Sequence, residues 1–452
     1  MYGIEWRTRK AHGRVLMVVL SLIIVVASAP AGALTGGDLS GYQGSPYAVA
    51  ERIGLIDGNG VAATGATGAG VTIALIDTGV VDVPGLRYSN VTIGPDFSFD
   101  DMIPDLRGKD ANGHGTHLAS IMVASDQAWF DGDHTRSPDR VLGIAPDADL
   151  ISIKAGTADG TVDVSQVIAA INWVINQKTS GASDIDILNL SFGTASTNPY
   201  SSDPLAYAVE RAWLAGIVVV VSAGNDGNAG ASLSSPAYDP LVIAVGASML
   251  AGTETEADFT SEGVPNRKID VSAPGKSIIG LRNPGSFSDY FNFDGRIGDD
   301  LVRATGTSQA AAVVSGAVAL LLEARPDLSP DQVKWLLKKT ADKTKSETFG
   351  ISRLLNVAEA ISASVPSYSQ SIQRSDGSGS LDAARGLSRL WIGGVMLEGE
   401  VDIFGNTWSG NTWSVDAWSV DAWSGNTWSG NTWSGNTWSG NTWSGNTWSG
   451  NT

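Results

Sequence analysis

Val71-Thr72-Ile73-Ala74-Leu75-Ile76-Asp77-Thr78-Gly79 runs an apolar, β-rich segment straight into a carboxylate and a glycine. A strand that is apolar at successive positions, not alternate ones, is expected where both faces of a sheet are covered. Similar runs recur at 150–153, 185–190, 217–221 and 241–245. Between them Val164, Val167, Ile168, Ile171, Val174 and Ile175 share one face at helical spacing. Ser329, Pro330 and Asp331 read as the cap and first turn of a further helix. Strands alternating with helices predict a doubly wound α/β domain, with a mostly parallel sheet and helices on both faces. Sites in such a domain lie at the carboxyl ends of strands, and Asp77 and Asn225 each follow one.

Asp77 is one of three chemical groups in short, separate blocks. The others are Asn112-Gly113-His114-Gly115-Thr116-His117 and Gly306-Thr307-Ser308-Gln309-Ala310. Serine is a weak nucleophile at neutral pH and needs a base within hydrogen-bond reach, itself oriented by a third group. Four histidines exist. His12 lies in a leader-like segment, His134 in a polar loop, and His117 one turn after His114 reads as a structural histidine with satisfied hydrogen bonds. Ser308 opens an apolar helix, whose first amides favour developing negative charge. Asn225, in Ser222-Ala223-Gly224-Asn225, adds a side-chain amide. Asp-Thr-Gly alone also fits an aspartic peptidase, but no second Asp-Thr-Gly or Asp-Ser-Gly occurs to share the proton.

Taken together, and in the order Asp, His, Ser, these blocks resemble the subtilisin-like (S8) peptidase family over residues 69–363. The resemblance implies a serine endopeptidase. Asp77 would orient His114, His114 would act as base and acid, Ser308 would attack, and Asn225 with the Ser308 amide would hold the oxyanion. It also implies that a protein or peptide substrate pairs with Asp159-Gly160-Thr161 and Ser191-Phe192-Gly193. The primary pocket would be walled by Ala223-Gly224 and closed by Ser234-Ser235, with Asp226 at its rim. No cofactor is implied for the chemistry. Structural calcium is a further implication, with no ligand loop to assign it to. Two positions depart from the family pattern: Gln309 stands where Met is common, and Ala312 where Pro is common. Ala312 motivates a transpeptidase as an alternative. A binding protein with a degenerate peptidase domain is another, set against four intact chemical groups.

The rest of the chain points to export. Residues 1–33 combine a basic stretch, an apolar run and Ala31-Gly32-Ala33, as in a cleavable signal peptide. Its loss would remove four basic residues and one acidic one, taking the net charge from -18 to -21. So acidic a surface argues against nucleic acid, and nothing in the sequence suggests a stable oligomer. Cysteine is absent, which excludes a thiol nucleophile and disulfide staples. Residues 34–68 form a lead-in shorter than the folded pro-domain of many subtilases. Residues 366–385 read as a linker and 386–405 as a short hairpin. In 406–452 nine tryptophans recur every five residues, a period that matches no ordinary amphipathic helix or strand. The tail reads as low-complexity chain, or as exposed rings that stack on glycans of a cell wall.

Gln309 yields a direct expectation. Without a thioether beside the nucleophile, the enzyme should keep most of its activity in dilute hydrogen peroxide; rapid inactivation of pure protein, followed by residual activity against time, would contradict this.

Overall fold

The computed structural model describes residues 39–410, except 40, 43, 58–61, 87–88, 228–231, 251–255, 347–349, 393–394 and 404–405. It also describes the backbone of 443–444 and 448–449, two short strands that pair in parallel. The leader at 1–33 and most of the repeat tail lie outside the described residues.

The chain begins with helix α1 (Pro46–Arg52), then strands β1 (Thr72–Asp77) and β2 (Val91–Asp96). Helices α2 (His114–Val123) and α3 (Gln127–Phe130) lead to β3 (Asp149–Lys154), α4 (Val164–Ser180), β4 (Ile185–Leu190) and α5 (Pro204–Leu214). Next come β5 (Val218–Ser222), β6 (Ile243–Ser248), a hairpin of β7 (Gly263–Val264) and β8 (Arg267–Lys268), and β9 (Val271–Pro274). A small sheet is built from β10 (Ile278–Leu281), β11 (Arg296–Ile297) and β12 (Leu301–Ala304), with α6 (Phe287–Phe291) inserted in it. Helices α7 (Thr307–Ala324) and α8 (Pro330–Thr340) precede the hairpin β13 (Asp342–Ser346) and β14 (Gly350–Leu354). After α9 (Val357–Ser362) and α10 (Leu381–Arg385), β15 (Trp391–Ile392) pairs antiparallel with β16 (Val395–Met396).

The main sheet has nine strands in the order β13-β14-β9-β6-β5-β4-β1-β3-β2. Every pairing in it is parallel except β13 with β14. The strand order turns at β1, which lies between β3 and β4, so a crevice opens at its carboxyl end. Asp77 is the last residue of β1. Both faces of the sheet are covered: Ile73 to Ile76, and all of β5 and β6, are buried. Helix α4 has a full capping box, from Asp163 and Gln166, and so does α8, from Ser329 and Gln332. Helix α7 is buried from Thr307 to Leu322 and packs on α2 and on β4, β5, β6 and β9. It passes through Ala312 as unbroken helix.

Two segments read as peripheral in the sequence are woven into this domain. In the lead-in, Val49, Ile53, Leu55 and Ile56 join the main core, and the Ile53 carbonyl accepts from the Val357 amide. Residues 366–385, expected to be a linker, lie along the domain and bond to it. Ser375 donates its amide to Glu210, Asp376 to the Ser201 carbonyl and Gly379 to the Ser202 carbonyl. Arg385 is fully buried, with Nε 2.6 Å from Asp163 Oδ2, and it also donates to the carbonyls of Gly399 and Val401. Leu381, Leu390, Ile403 and Trp408 complete the apolar side of this strap. Composition alone suggested a flexible stretch because serine and glycine dominate it. Its few apolar and charged residues are the ones that dock.

Arg385→Ala would leave the Asp163 carboxylate buried without its partner. It should destabilise the domain by about 3–5 kcal/mol in urea unfolding, while a loss below about 1 kcal/mol would show that the strap is not part of the cooperative core.

Candidate active site

Asp77 and His114 meet because two glycines let α2 approach the end of β1. A Cβ on Gly115 would sit 2.1 Å from the Gly79 carbonyl oxygen, and Gly79 itself has φ +105°. With that approach allowed, His114 Nδ1 lies 2.7 Å from Asp77 Oδ1. Both side chains are nearly inaccessible. Asp77 Oδ1 also accepts from the Thr78 amide at 2.8 Å. His114 Nε2 is buried and has no hydrogen-bond partner among the described residues.

The first turn of α2 has no side-chain cap of its own at Gly113. Asp110 supplies one from three residues upstream. Its carboxylate accepts from the amides of Asn112, Gly113 and Thr116, from Thr116 Oγ1 at 2.6 Å and from Thr78 Oγ1 at 2.8 Å. Thr78 Oγ1 in turn accepts from the Gly115 amide. The His114 turn and the Asp77 turn are therefore stitched together through one buried carboxylate. Sequence reasoning passed over Asp110; the signal was an acidic residue just ahead of an uncapped helix start.

Ser308 is the second residue of α7 and is buried, in the helix that packs against α2. Its carbonyl accepts a long bond from Ser191 Oγ at 3.5 Å. Asn225 is held at the head of the same helix: its Oδ1 accepts from the Thr307 amide at 2.9 Å and from Thr307 Oγ1 at 3.0 Å. With the oxygen committed to Thr307, Nδ2 is the end of the amide left to donate. It lies 3.5 Å from where a Cβ on Gly306 would stand, directly before Thr307 and Ser308.

The expected substrate residues fall into two groups. Gly193, Gly224 and Ser234 converge: Cβ atoms on the two glycines would approach Ser234 Oγ to 2.4 and 3.2 Å. Ser234 also donates its amide and hydroxyl to the Ala223 carbonyl. Phe192 packs partly buried against the core. Asp159 and Gly160 form a separate turn, in which Asp159 accepts from Thr157 Oγ1 and from the Thr161 amide. Asn112 Nδ2 bonds the adjacent Ala158 carbonyl at 3.0 Å, tying that turn to the His114 block. Asp226 is exposed.

Charges around the site are mostly paired. Burial, the largest influence on His114, favours its neutral form; the Asp77 charge and hydrogen bond, with Asp110 behind them, outweigh it and raise the pKa. His117 has no such partner. Burial, then the neighbouring His114, pushes it down to about 4, partly countered by the carbonyls of Val302 and Ile278. The expected satisfied hydrogen bond is not there, since neither ring nitrogen has a partner of normal geometry. The ring fits because position 280 is glycine, where a Cβ would come within 2.9 Å of it. Opposite Asp77 in the sheet register stands Lys154, also buried. Its ammonium donates to the carbonyls of Thr78 and Gly156, both at 3.0 Å, and pairs with Asp100 at 2.9 Å.

Among the described residues no group of three His, Asp or Glu side chains is arranged to hold a metal ion. The acidic stretch Asp96, Asp100 and Asp101 does not fit calcium, because Lys154, Arg107 and backbone amides occupy its oxygens.

Known proteins align with this architecture. A family model described as "Subtilase family" matches residues 68–356. Serine protease AprX of Bacillus subtilis (strain 168) is 38% identical over 62% of this chain, and the match spans 63% of that relative's length. Subtilisin DY of Bacillus licheniformis is 31% identical over 70% of this chain and 99% of its own. Among solved structures, a cold adapted subtilisin-like serine proteinase aligns at TM-score 0.50 with 27% identity, over 65% of this chain and 91% of that one. Fervidolysin from Fervidobacterium pennivorans, a keratinolytic enzyme related to subtilisin, aligns at TM-score 0.52 with 28% identity, over 67% and 44%.

The two histidines give opposite pH signatures. Only neutral His114 can accept a proton, so the acid limb of kcat/KM should have its midpoint above the ordinary 6.5. Asp77→Asn removes the main raising influence and should move that midpoint down while lowering kcat by about ten-thousandfold. His114's raised pKa contributes stability that is full below 6.5 and lost as pH rises through the folded value. For His117 the sign reverses: the unfolded ring titrates near 6.5 and the folded one near 4, so stability falls as pH drops between them. The loss is about 3 kcal/mol. Urea unfolding of Ser308→Ala at both ends of this range, with and without His117→Gln, should show the dependence flatten in the double variant.

Proposed function

The chain belongs to the subtilase family, and from that premise we propose that it is a secreted serine endopeptidase acting through an acyl-enzyme on Ser308. Ser308 Oγ attacks the scissile carbonyl and its proton passes to His114 Nε2. Asp77, fixed on Nδ1, sets the tautomer and stabilises the imidazolium. The oxyanion accepts hydrogen bonds from Asn225 Nδ2 and from the Ser308 amide at the head of α7. Collapse breaks the C–N bond and His114 returns the proton to the departing amine. Water, deprotonated by the same base, then releases the acyl group and regenerates Ser308.

The observation that carries this reading is the Asp77–His114 bond of 2.7 Å, with Nε2 buried and no donor among the described residues competing for its lone pair. The orientation of Asn225 by Thr307 supports its role, since only a flipped amide would turn its donors away. The acyl side of the substrate would run between Asp159-Gly160 and Ser191-Phe192-Gly193, with its leading side chain against Ala223, Gly224 and Ser234. The cationic and apolar leader at 1–33 supports export.

Purified protein and its Ser308→Ala form, incubated with unfolded casein at neutral to alkaline pH, test the mechanism. The parent should cleave, be blocked by a fluorophosphonate and lose about a millionfold in Ser308→Ala, the scale for subtilisin stripped of its nucleophile. Asn225→Ala should cost about a hundredfold to a thousandfold in kcat, as for the equivalent donor in subtilisin. A folded parent that neither cleaves nor labels would remove the proposal and favour the degenerate binding protein.

A further inference from the structure

Four exposed aromatic rings stand within seven residues, Phe287, Tyr290, Phe291 and Phe293. The last three are 64%, 67% and 59% exposed. They form one patch: Phe287 to Phe291 is 4.7 Å between centroids, Tyr290 to Phe291 5.1 Å and Tyr290 to Phe293 6.0 Å. The Arg296 guanidinium lies 4.4 Å over the Phe293 ring. A contiguous apolar patch of this kind marks a surface that binds something.

The patch is held on a rigid mount. Asp289, on the inner side of α6, accepts from Arg282 Nε at 2.5 Å, Arg296 Nε at 2.8 Å and the Gly285 amide at 2.9 Å. Asn292 donates to the Arg303 carbonyl. The rings thus stay in water on a fixed element and cannot fold away.

That mount is fastened to the catalytic turn. The Phe287 and Ser288 amides donate to the carbonyls of Ala111 and Asn112, at 2.9 and 2.8 Å, and Ser288 Oγ donates to Asn112 Oδ1. Ser288, Asp289 and Asn292 share a pocket with His114, Ala304 and Gln309. None of the residues proposed for the acyl side lines it. The base that protonates the leaving amine and the residue after the nucleophile line it, and the acyl-side residues do not, which assigns it to the leaving side.

We propose that the α6 rings form an exosite for the leaving-side segment of an unfolded polypeptide substrate, favouring aromatic and large apolar side chains. This rests on the acyl-side assignment made above. The segment that carries the rings lines the same pocket as His114 through Ser288, Asp289 and Asn292, and the substrate is an extended chain crossing the site. At about 3.3 Å per residue, a leaving segment of about six residues spans about 20 Å.

Three substrates with one common acyl side separate the contributions. The first is a p-nitroanilide, which has no leaving peptide. The others are internally quenched peptides with six-residue leaving segments, one rich in Phe and Leu and one in Ser and Gly. The parent should prefer the aromatic segment by roughly tenfold in kcat/KM, mainly through KM. In Tyr290→Ser/Phe291→Ser/Phe293→Ser the ratio of the two peptides, each normalised to the anilide, should fall towards one; Phe291→Trp should keep the preference. Absence of a preference in the parent, or its survival in the triple variant, would overturn the exosite. So would sedimentation showing a parent dimer that the triple variant dissolves, since the rings would then serve a second copy. Binding of the two leaving segments to Ser308→Ala, read by fluorescence anisotropy, reports on the patch without catalysis. Failure of the chemistry and failure of the exosite therefore give different results.

Discussion

Helix α2 must press its first turn against the end of β1, and much of the site depends on that contact. The approach is steric before it is electrostatic: Gly115 and Gly79 remove the side chains that would hold the two backbones apart. Only then can Asp77 reach the ring of His114. The contact brings backbone amides together without partners, and Asp110 answers that problem by accepting five hydrogen bonds, four from the α2 turn and one, from Thr78, across the junction. Lys154 does the complementary work on the other side of β1, donating to carbonyls that the turn leaves facing inward. Acceptor and donor are both buried and both satisfied, as a polar junction at the end of a sheet requires.

The same economy recurs around α7. Its head is fixed by Asn225, whose amide oxygen caps Thr307. One side chain therefore has two ends in different states: its oxygen positions the helix that carries Ser308, and its nitrogen is left to donate. Neighbouring walls are shaped by the absence of side chains at Gly193 and Gly224, against which Ser234 closes. Position and exclusion, with no extra functional groups, account for most of the geometry.

The parts of the molecule legible in the sequence were those with a strong local signature. Unbroken apolar runs gave β1, β3, β4, β5 and β6, helical spacing gave α4, and the cap at Ser329 starts α8 as expected. The strand pattern put sites at the carboxyl ends of strands, which is why Asp77 could be placed at one, while the turn of the strand order at β1 is set by pairings distant in sequence. Less legible were strands whose burial is not written locally. β2 is half exposed at the sheet edge, and β9 is four residues long and ends in proline. Asp110 was missed although most of its partners are local, and Lys154 was missed because it acts through Thr78 and Asp100, distant in sequence. His117 was misjudged for a related reason: its surroundings come from β10 and β12, far along the chain, and the carbonyls of Ile278 and Val302 near it make no hydrogen bond of normal geometry with its ring. The strap at 366–410 shows the same limit, since a serine- and glycine-rich composition conceals one arginine with a specific destination.

That arginine sets the size of the cooperative unit. Asp163 caps α4 early in the chain, and the cation that neutralises it arrives 222 residues later. The match to the family model ends at residue 356, but the apolar cluster that includes Leu381 and Trp408 does not. A chain emerging from its amino end therefore carries Asp77, His114 and Ser308 well before its interior charge is balanced. The fold is finished from its far end, and a fragment trimmed to the span of the family match would hold all three while lacking the piece that closes the structure around them.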